Sequence, residues 1–226
     1  YDYKKDKIDM ETKTSARGPY DWAKLVRDMD KVADRLKTLQ DEGIPVLWRP
    51  FHEASGGWFW WGASGNSKVE KAAAYKAIYI FMYDYFTNTK GLNNLIWVWN
   101  AQDPEWYPGD EYVDIIGTDI YDTPKDYSSK IGKWLKCVNM SDDPEGAPKM
   151  VALTETGDIP SPAKMEEDGA WWSFFMVWND AGEQNFKEGL SDKSNFWTGE
   201  YHNTNAHKKE VYDSDLIITL DEVKIK

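Results

Sequence analysis

The sequence has 226 residues, 41% of them apolar and 29% charged, the balance of a soluble globular chain long enough to bury a sizeable core. A formal net charge of −12 and a pI near 4.7 weigh against a nucleic-acid partner, because a phosphate backbone would be repelled. The single cysteine, Cys137, excludes an internal disulfide and a cysteine-based zinc site, and no apolar run reaches the roughly 18 residues a membrane span needs.

Residues 1–19 are charged and polar without a sustained period and read as a loop. Asp21 is placed to cap a helix running to about Asp41, with Leu25, Met29, Val32, Leu36 and Leu39 spaced as one apolar stripe. Gly43 and Pro45 stop it, and Ile44 to Arg49 reads as a short buried strand ending at Pro50. Ser67 caps a second helix through Tyr85, and Leu95 to Trp99 is the next strand, followed by a loop from Asn100 to Asp110. Val113 to Thr118 reads as a strand leading into Asp119, Tyr121 and Asp122. A helix is expected within 126–138, with Ile131, Trp134, Leu135 and Val138 on one side. Met150 to Leu153 and Trp172 to Val177 are the last two strands, leading into Thr154-Glu155-Thr156-Gly157 and Trp178-Asn179-Asp180. After Gly182 the chain turns polar. A helix near 205–213 and the apolar Leu216-Ile-Ile-Thr-Leu220 then suggest a closing helix and tail.

Strands apolar on both faces alternate with helices, and polar or aromatic residues gather just after the strand ends. That is the pattern of an α/β (β/α)8 barrel, whose chemistry sits at the C-terminal ends of its strands. An open doubly wound sheet competes with it, but no Gly-rich phosphate loop follows any strand. Five strands are counted where a closed barrel needs eight and usually takes roughly 250 residues. The expectation is therefore that residues 1–226 are the C-terminal part of a single barrel domain, with the first three strands on another chain or lost.

The chemistry concentrates in Leu47 to Gly62, which places Arg49, His52 and Glu53 together, then two glycines and four consecutive aromatics. The 13 Trp of the chain are well above ordinary usage, and their clustering near glycines and carboxylates suits a carbohydrate surface, because sugar C–H faces stack on indole. Glycoside hydrolysis needs a carboxyl pair, about 5–5.5 Å apart when configuration is retained and wider when it is inverted. Glu155, at the end of an apolar strand, is the partner expected for Glu53.

Arg49-Pro50-Phe51-His52-Glu53 with Gly57-Trp58-Phe59-Trp60-Trp61-Gly62 closely resembles the acid/base motif of glycoside hydrolase family 26. Leu153 to Gly157 resembles that family's nucleophile motif, and Tyr107 to Asp122 its sixth-strand segment. The resemblance runs from about Tyr20 to the C-terminus. The family consists mostly of endo-β-1,4-mannanases on a (β/α)8 barrel. The resemblance implies Glu53 as acid/base after the fourth strand and Glu155 as nucleophile after the seventh. His52 would stand beside the acid/base, or be a satisfied structural histidine. Tyr121 would donate a hydrogen bond to the nucleophile, Arg49 would sit near the carboxylates, and both would favour the charged form. Asp119 would orient that group or cap a loop. Trp58 and Trp178 would be sugar platforms and Trp106 a further substrate contact, whereas Trp60 and Trp61 would pack the loop. Asn179 stands where some members carry Arg.

The expected activity is endo-acting, retaining hydrolysis of β-1,4-mannosidic bonds in mannan, galactomannan or glucomannan. A family member cutting mixed-linkage β-glucan or β-1,3-xylan, and a non-catalytic glycan-binding protein, are the alternatives. No metal or other cofactor is called for. His52-Glu53 has no His three residues on, which argues against a zinc helix motif. A polymeric substrate implies an extracellular or cell-surface location, although no signal peptide is read in this chain.

Overall fold

The computed structural model describes residues 8–9, 14–15, 19–62, 65–141, 148–178 and 195–223. The chain falls into two compact units, residues 1–117 with 140–149 and residues 118–139 with 150–226.

The first unit begins with two short strands, β1 (Ile8–Asp9) and β2 (Thr14–Ser15), paired antiparallel where the sequence reads as loop. Helix α1 (Pro19–Asp41) starts before Asp21, since proline is favoured in a first turn, where its missing N–H costs nothing. Its buried residues are Met29, Ala33 and Leu36, while Val32 and Leu39 lie at the stripe's exposed margin. Ala33 is buried in place of the Val32 that the pattern favours. Strand β3 (Val46–Trp48) is shorter than expected and pairs parallel with β4 (Leu95–Trp99), Val46 opposite Leu95. Between them runs α2 (Lys68–Asp84), opened by a full capping box in which Ser67 and Glu70 satisfy each other's backbone N–H groups. Such a box contributes about 1 kcal/mol.

Tyr75, Tyr79 and Met82 on the inner face of α2 pack with Phe86, Trp97, Trp99 and Trp106 into an aromatic core. A wider helical turn over Tyr85–Thr89 extends α2 and presents the Tyr85 hydroxyl, which donates to Asp30 of α1 at 2.6 Å. Lys90 pairs with the same carboxylate, and these bonds hold Asp30 below the usual carboxylate range. Strand β5 (Ile115–Ile120) pairs parallel with β4, Val98 opposite Ile115, and crosses from the first unit into the second. It begins and ends two residues later than expected, so Asp119 and Ile120 belong to the strand.

In the second unit, β6 (Met150–Thr156) is buried from Val151 onward and includes Glu155, extending the expected strand by three residues. The Ile120 carbonyl of β5 accepts a hydrogen bond from the Gly157 N–H just beyond β6, and β7 (Phe175–Val177) pairs parallel with β6. Helix α3 (Ile131–Val138) is shorter than its expected range. It buries Cys137, and Leu135, expected on the apolar side, is exposed. Burial pushes the Cys137 thiol up to about 12. A short helix α4 (Pro162–Asp168), not foreseen, links β6 to β7, and α5 (Asn205–Tyr212) follows. Leu216 to Leu220 forms turns with Ile218 and Leu220 exposed, rather than an apolar packed tail.

Strand order follows the sequence from β3 to β7. Parallel strands added in this order, with helical connections, are the arrangement of the (β/α)8-barrel class.

Candidate active site

In the first unit, the loop after β3 is held in a costly backbone shape. Phe51 and Glu53 both adopt left-handed conformations, with φ of 56° and 51°. For residues bearing a Cβ this costs about 1–2 kcal/mol each and persists only where the surroundings dictate it. Here the dictation comes from the end of β4. The Glu53 N–H donates to the Asn100 carbonyl at 2.9 Å and to the Asn100 Oδ1 at 3.3 Å, and the Ser55 N–H donates to the Ala101 carbonyl at 3.2 Å. Asn100 and Ala101 are fully buried, so the clamp is rigid.

The aromatics that follow divide into two groups. Phe59 and Trp61 stack at 4.4 Å, the Trp61 indole N–H donates to the His52 carbonyl at 2.8 Å, and the His52 ring lies 4.7 Å from Phe59. Trp60 meets Phe51 edge-on. Trp58 is different, being 58% exposed. Its indole rests on Gly56, where a Cβ would come within 2.0 Å of the ring, so only glycine admits that pose. Arg49, His52 and Glu53 are each half-buried.

Trp106 does not belong to a surface. It is 2% exposed, its ring 5.3 Å from Tyr75 of α2, and its carbonyl accepts from the Trp99 indole N–H. The expectation that it contacts substrate is corrected on that ground: the short helix Pro104–Trp106 turns the indole inward, into the aromatic core.

In the second unit, Glu155 sits near the end of β6 and is 4% exposed. Tyr121, just past β5, donates its hydroxyl to Glu155 Oε2 at 2.6 Å. A carboxyl removed from water needs such donors. Beside it, the Thr154 hydroxyl donates to Asp119 at 2.7 Å, which ties the end of β5 to β6. Trp178 is exposed just after β7, its N–H bonded to the Thr156 carbonyl at 3.0 Å. Asn179 lies outside the described residues. The structure thus groups Asp119, Tyr121 and Glu155 in one unit and Arg49, His52, Glu53 and Trp58 in the other.

Several residues around Glu155 carry no local sequence signal. Asp158, Phe196, His202 and Asn203 are buried beyond the β6 end, and their partners lie far away in the chain. Only the turn from Glu155 into Gly157-Asp158, directly after an apolar strand, hinted that a polar group belonged there.

The chain matches the model of glycosyl hydrolase family 26 over residues 4–222. The chain belongs to that family. It is 40% identical over 200 residues to a mannan endo-1,4-beta-mannosidase of Thermothelomyces thermophilus, covering 88% of this chain and 36% of that protein. Mannan endo-1,4-beta-mannosidase B of a Piromyces species is 34% identical, with 98% of this chain and 34% of that protein covered. Among solved structures, a beta-mannanase from a symbiotic protist of the termite Reticulitermes speratus, complexed with gluco-manno-oligosaccharide, aligns with a TM-score of 0.74. That alignment has 35% identity and covers 95% of this chain and 59% of that one. The chain therefore spans only about a third of the length of these two curated family members.

Proposed function

We propose that the protein bearing this chain is an endo-acting, retaining β-1,4-mannanase. In this reading Glu155 attacks the anomeric carbon while Glu53 protonates the departing glycosidic oxygen, so the sugar transfers to the Glu155 carboxylate. Glu53 then takes a proton from water, and that water displaces the sugar, restoring both carboxyls. The observation that carries the assignment is the buried Glu155 at a strand end, held by the Tyr121 hydroxyl at 2.6 Å in a chain of this family. Trp58 and Trp178, exposed indoles next to the two carboxylate-bearing segments, serve as sugar platforms. The substrate class is mannan, as the names of the relatives suggest, with galactomannan or glucomannan as its substituted and mixed forms. A polymer of that size lies outside cells, so the protein acts as a secreted or surface enzyme.

Glu155→Ala tests the reading directly. It should abolish release of reducing ends from mannan and leave binding of β-1,4-linked manno-oligosaccharides within a fewfold of the unsubstituted protein. Turnover at the original rate would sink the assignment. A panel of mannan, mixed-linkage β-glucan and β-1,3-xylan then fixes the polymer.

A further inference from the structure

The segment that follows residue 194 reaches back to the Tyr121 ring and to Gly157, just beyond Glu155. Phe196 is buried, and its ring lies 5.6 Å from that of Tyr121, tilted by 48°. On its other sides it meets the His202 imidazole at 4.2 Å and the backbone of Gly157, two residues beyond Glu155. A Cβ at Gly157 would come within 2.7 Å of Phe196 Cε1, so the ring occupies the space that glycine leaves.

The ring's position is fixed by polar bonds on both flanks. Asn203, fully buried, accepts from the Ile159 N–H at 2.8 Å and donates to the carbonyls of Gly157 at 2.7 Å and Phe196 at 2.9 Å. One side chain therefore ties Phe196 to the chain leaving β6. His202 Nδ1 lies 3.1 Å from Asp158 Oδ2, and Asp158 Oδ1 accepts from the Lys125 N–H at 2.7 Å. The Tyr127 hydroxyl donates to the His202 carbonyl at 2.9 Å and accepts from the Thr204 N–H at 3.0 Å. Lys125 and Tyr127 belong to the loop that begins at Tyr121. The same scaffold thus holds the segments that carry both partners of the Tyr121–Glu155 hydrogen bond, with Phe196 packed against the Tyr121 ring and Gly157.

Tyr121 is itself 45% exposed, so burial does not hold its ring. We propose that Phe196 is a positioning residue for Glu155: it sets the angle of the Tyr121 ring whose hydroxyl bonds the carboxylate. Gly157 is kept small so that Phe196 can reach that place. The inference rests on the reading of Glu155 as nucleophile. Its effect belongs to the chemical step, because a small misplacement at a reacting group slows turnover by up to about 100-fold without changing sugar contacts.

The test is a double-mutant cycle, with kcat and KM measured on a β-1,4-linked manno-oligosaccharide. Phe196→Ala should lower kcat about tenfold with KM within about twofold, and Tyr121→Phe should lower kcat by about 10- to 100-fold. In the Tyr121→Phe background, Phe196→Ala should change kcat by less than about twofold, since the bond it aims is already gone. Gly157→Ala gives a second route that keeps the Phe196 side chain. Its Cβ pushes the ring aside and should lower kcat several-fold, again only when Tyr121 is present; this variant decides the matter if Phe196→Ala does not fold. Multiplicative losses in the cycle, or unaltered kcat in both variants, overturn the positioning role. If Glu155→Ala keeps full turnover, the assignment of the nucleophile falls instead; if it is inactive while Phe196→Ala and Gly157→Ala run at the original rate, only the positioning role falls.

Discussion

The loop carrying Glu53 and the strand end carrying Glu155 hold their carboxyl groups by different means. Glu53 stands on left-handed backbone, half-buried, with its main chain clamped to Asn100. Glu155 lies within strand β6, where the register with β7 shifts between Leu153 and Thr156, nearly sealed from water, with its side chain gripped by Tyr121. In the first case the backbone is constrained. In the second it is the carboxyl oxygen. The proposed roles call for this contrast. A group that gives and later takes a proton needs access to the leaving oxygen and then to water, whereas an attacking oxygen must point along one line.

The contrast is broken or sharpened most strongly by leaving-group dependence. Glu53→Ala removes the proton donor, so hydrolysis of mannan, whose leaving sugar needs protonation, should fall by about 10²–10⁴-fold. Formation of the glycosyl-enzyme from an aryl mannoside with an acidic phenol as leaving group should fall far less. Glu155→Ala should stop both substrates alike. Steady-state and burst kinetics on the two substrate types check this. Equal losses in Glu53→Ala would assign it a role other than proton transfer.

What was legible in the sequence follows the reach of each interaction. Leu95–Trp99 is found at its true ends because the run is apolar throughout and turn residues bound it, and the second helix is found because Ser67 and Glu70 satisfy one another within one turn. The carboxylates are visible because each follows an apolar run. Trp106 reads as a surface residue because a tryptophan in a polar loop has the same local pattern whether its ring turns out or in, and the space beside Tyr75 decides. Phe196 and Asn203 left no trace, since their partners Tyr121, Gly157 and Ile159 are distant in the chain and the stretch around them reads as polar loop. Ala33 is less legible than Val32 because periodicity ranks side chains by hydrophobicity, and alanine ranks low although it is buried.

A smaller effect separates the two regions by stability. Glu53→Gly relieves a left-handed residue of its Cβ, which should raise stability by about 1 kcal/mol even as activity is lost. The same change at Glu155 removes a side chain from a buried strand and leaves the Tyr121 hydroxyl without its acceptor, so it should destabilise by about 1–3 kcal/mol. Denaturant midpoints of the two variants should therefore move in opposite directions. A loss of stability in Glu53→Gly would mean that the Glu53 side chain contributes more than its backbone strain costs.

The smallest effect concerns another left-handed residue, Lys130, with φ of 59° at the start of α3. Among the described residues no buried carboxamide clamps it. Its ammonium group pairs with Asp122 at 3.0 Å and Asp126 at 2.9 Å, while both carboxylates remain partly exposed. The Lys130 hydrogen bond pulls Asp126 down to about 2 from an ordinary value of 3.8. Because the folded value is the lower one, this contribution is complete above about 4 and is lost as pH falls through about 2. The contribution is modest, and salt weakens it because the acids face solvent. Amides of Lys133 and Trp134, which donate to the Lys130 carbonyl, should exchange faster as pH drops through that range, once intrinsic rates are corrected, and faster again in high salt. The Glu53 amide, bonded to a buried neutral carboxamide, should respond to neither. Strain held by charge would then be separable from strain held by neutral hydrogen bonds within one chain, and only the second kind sits beside the proposed proton donor.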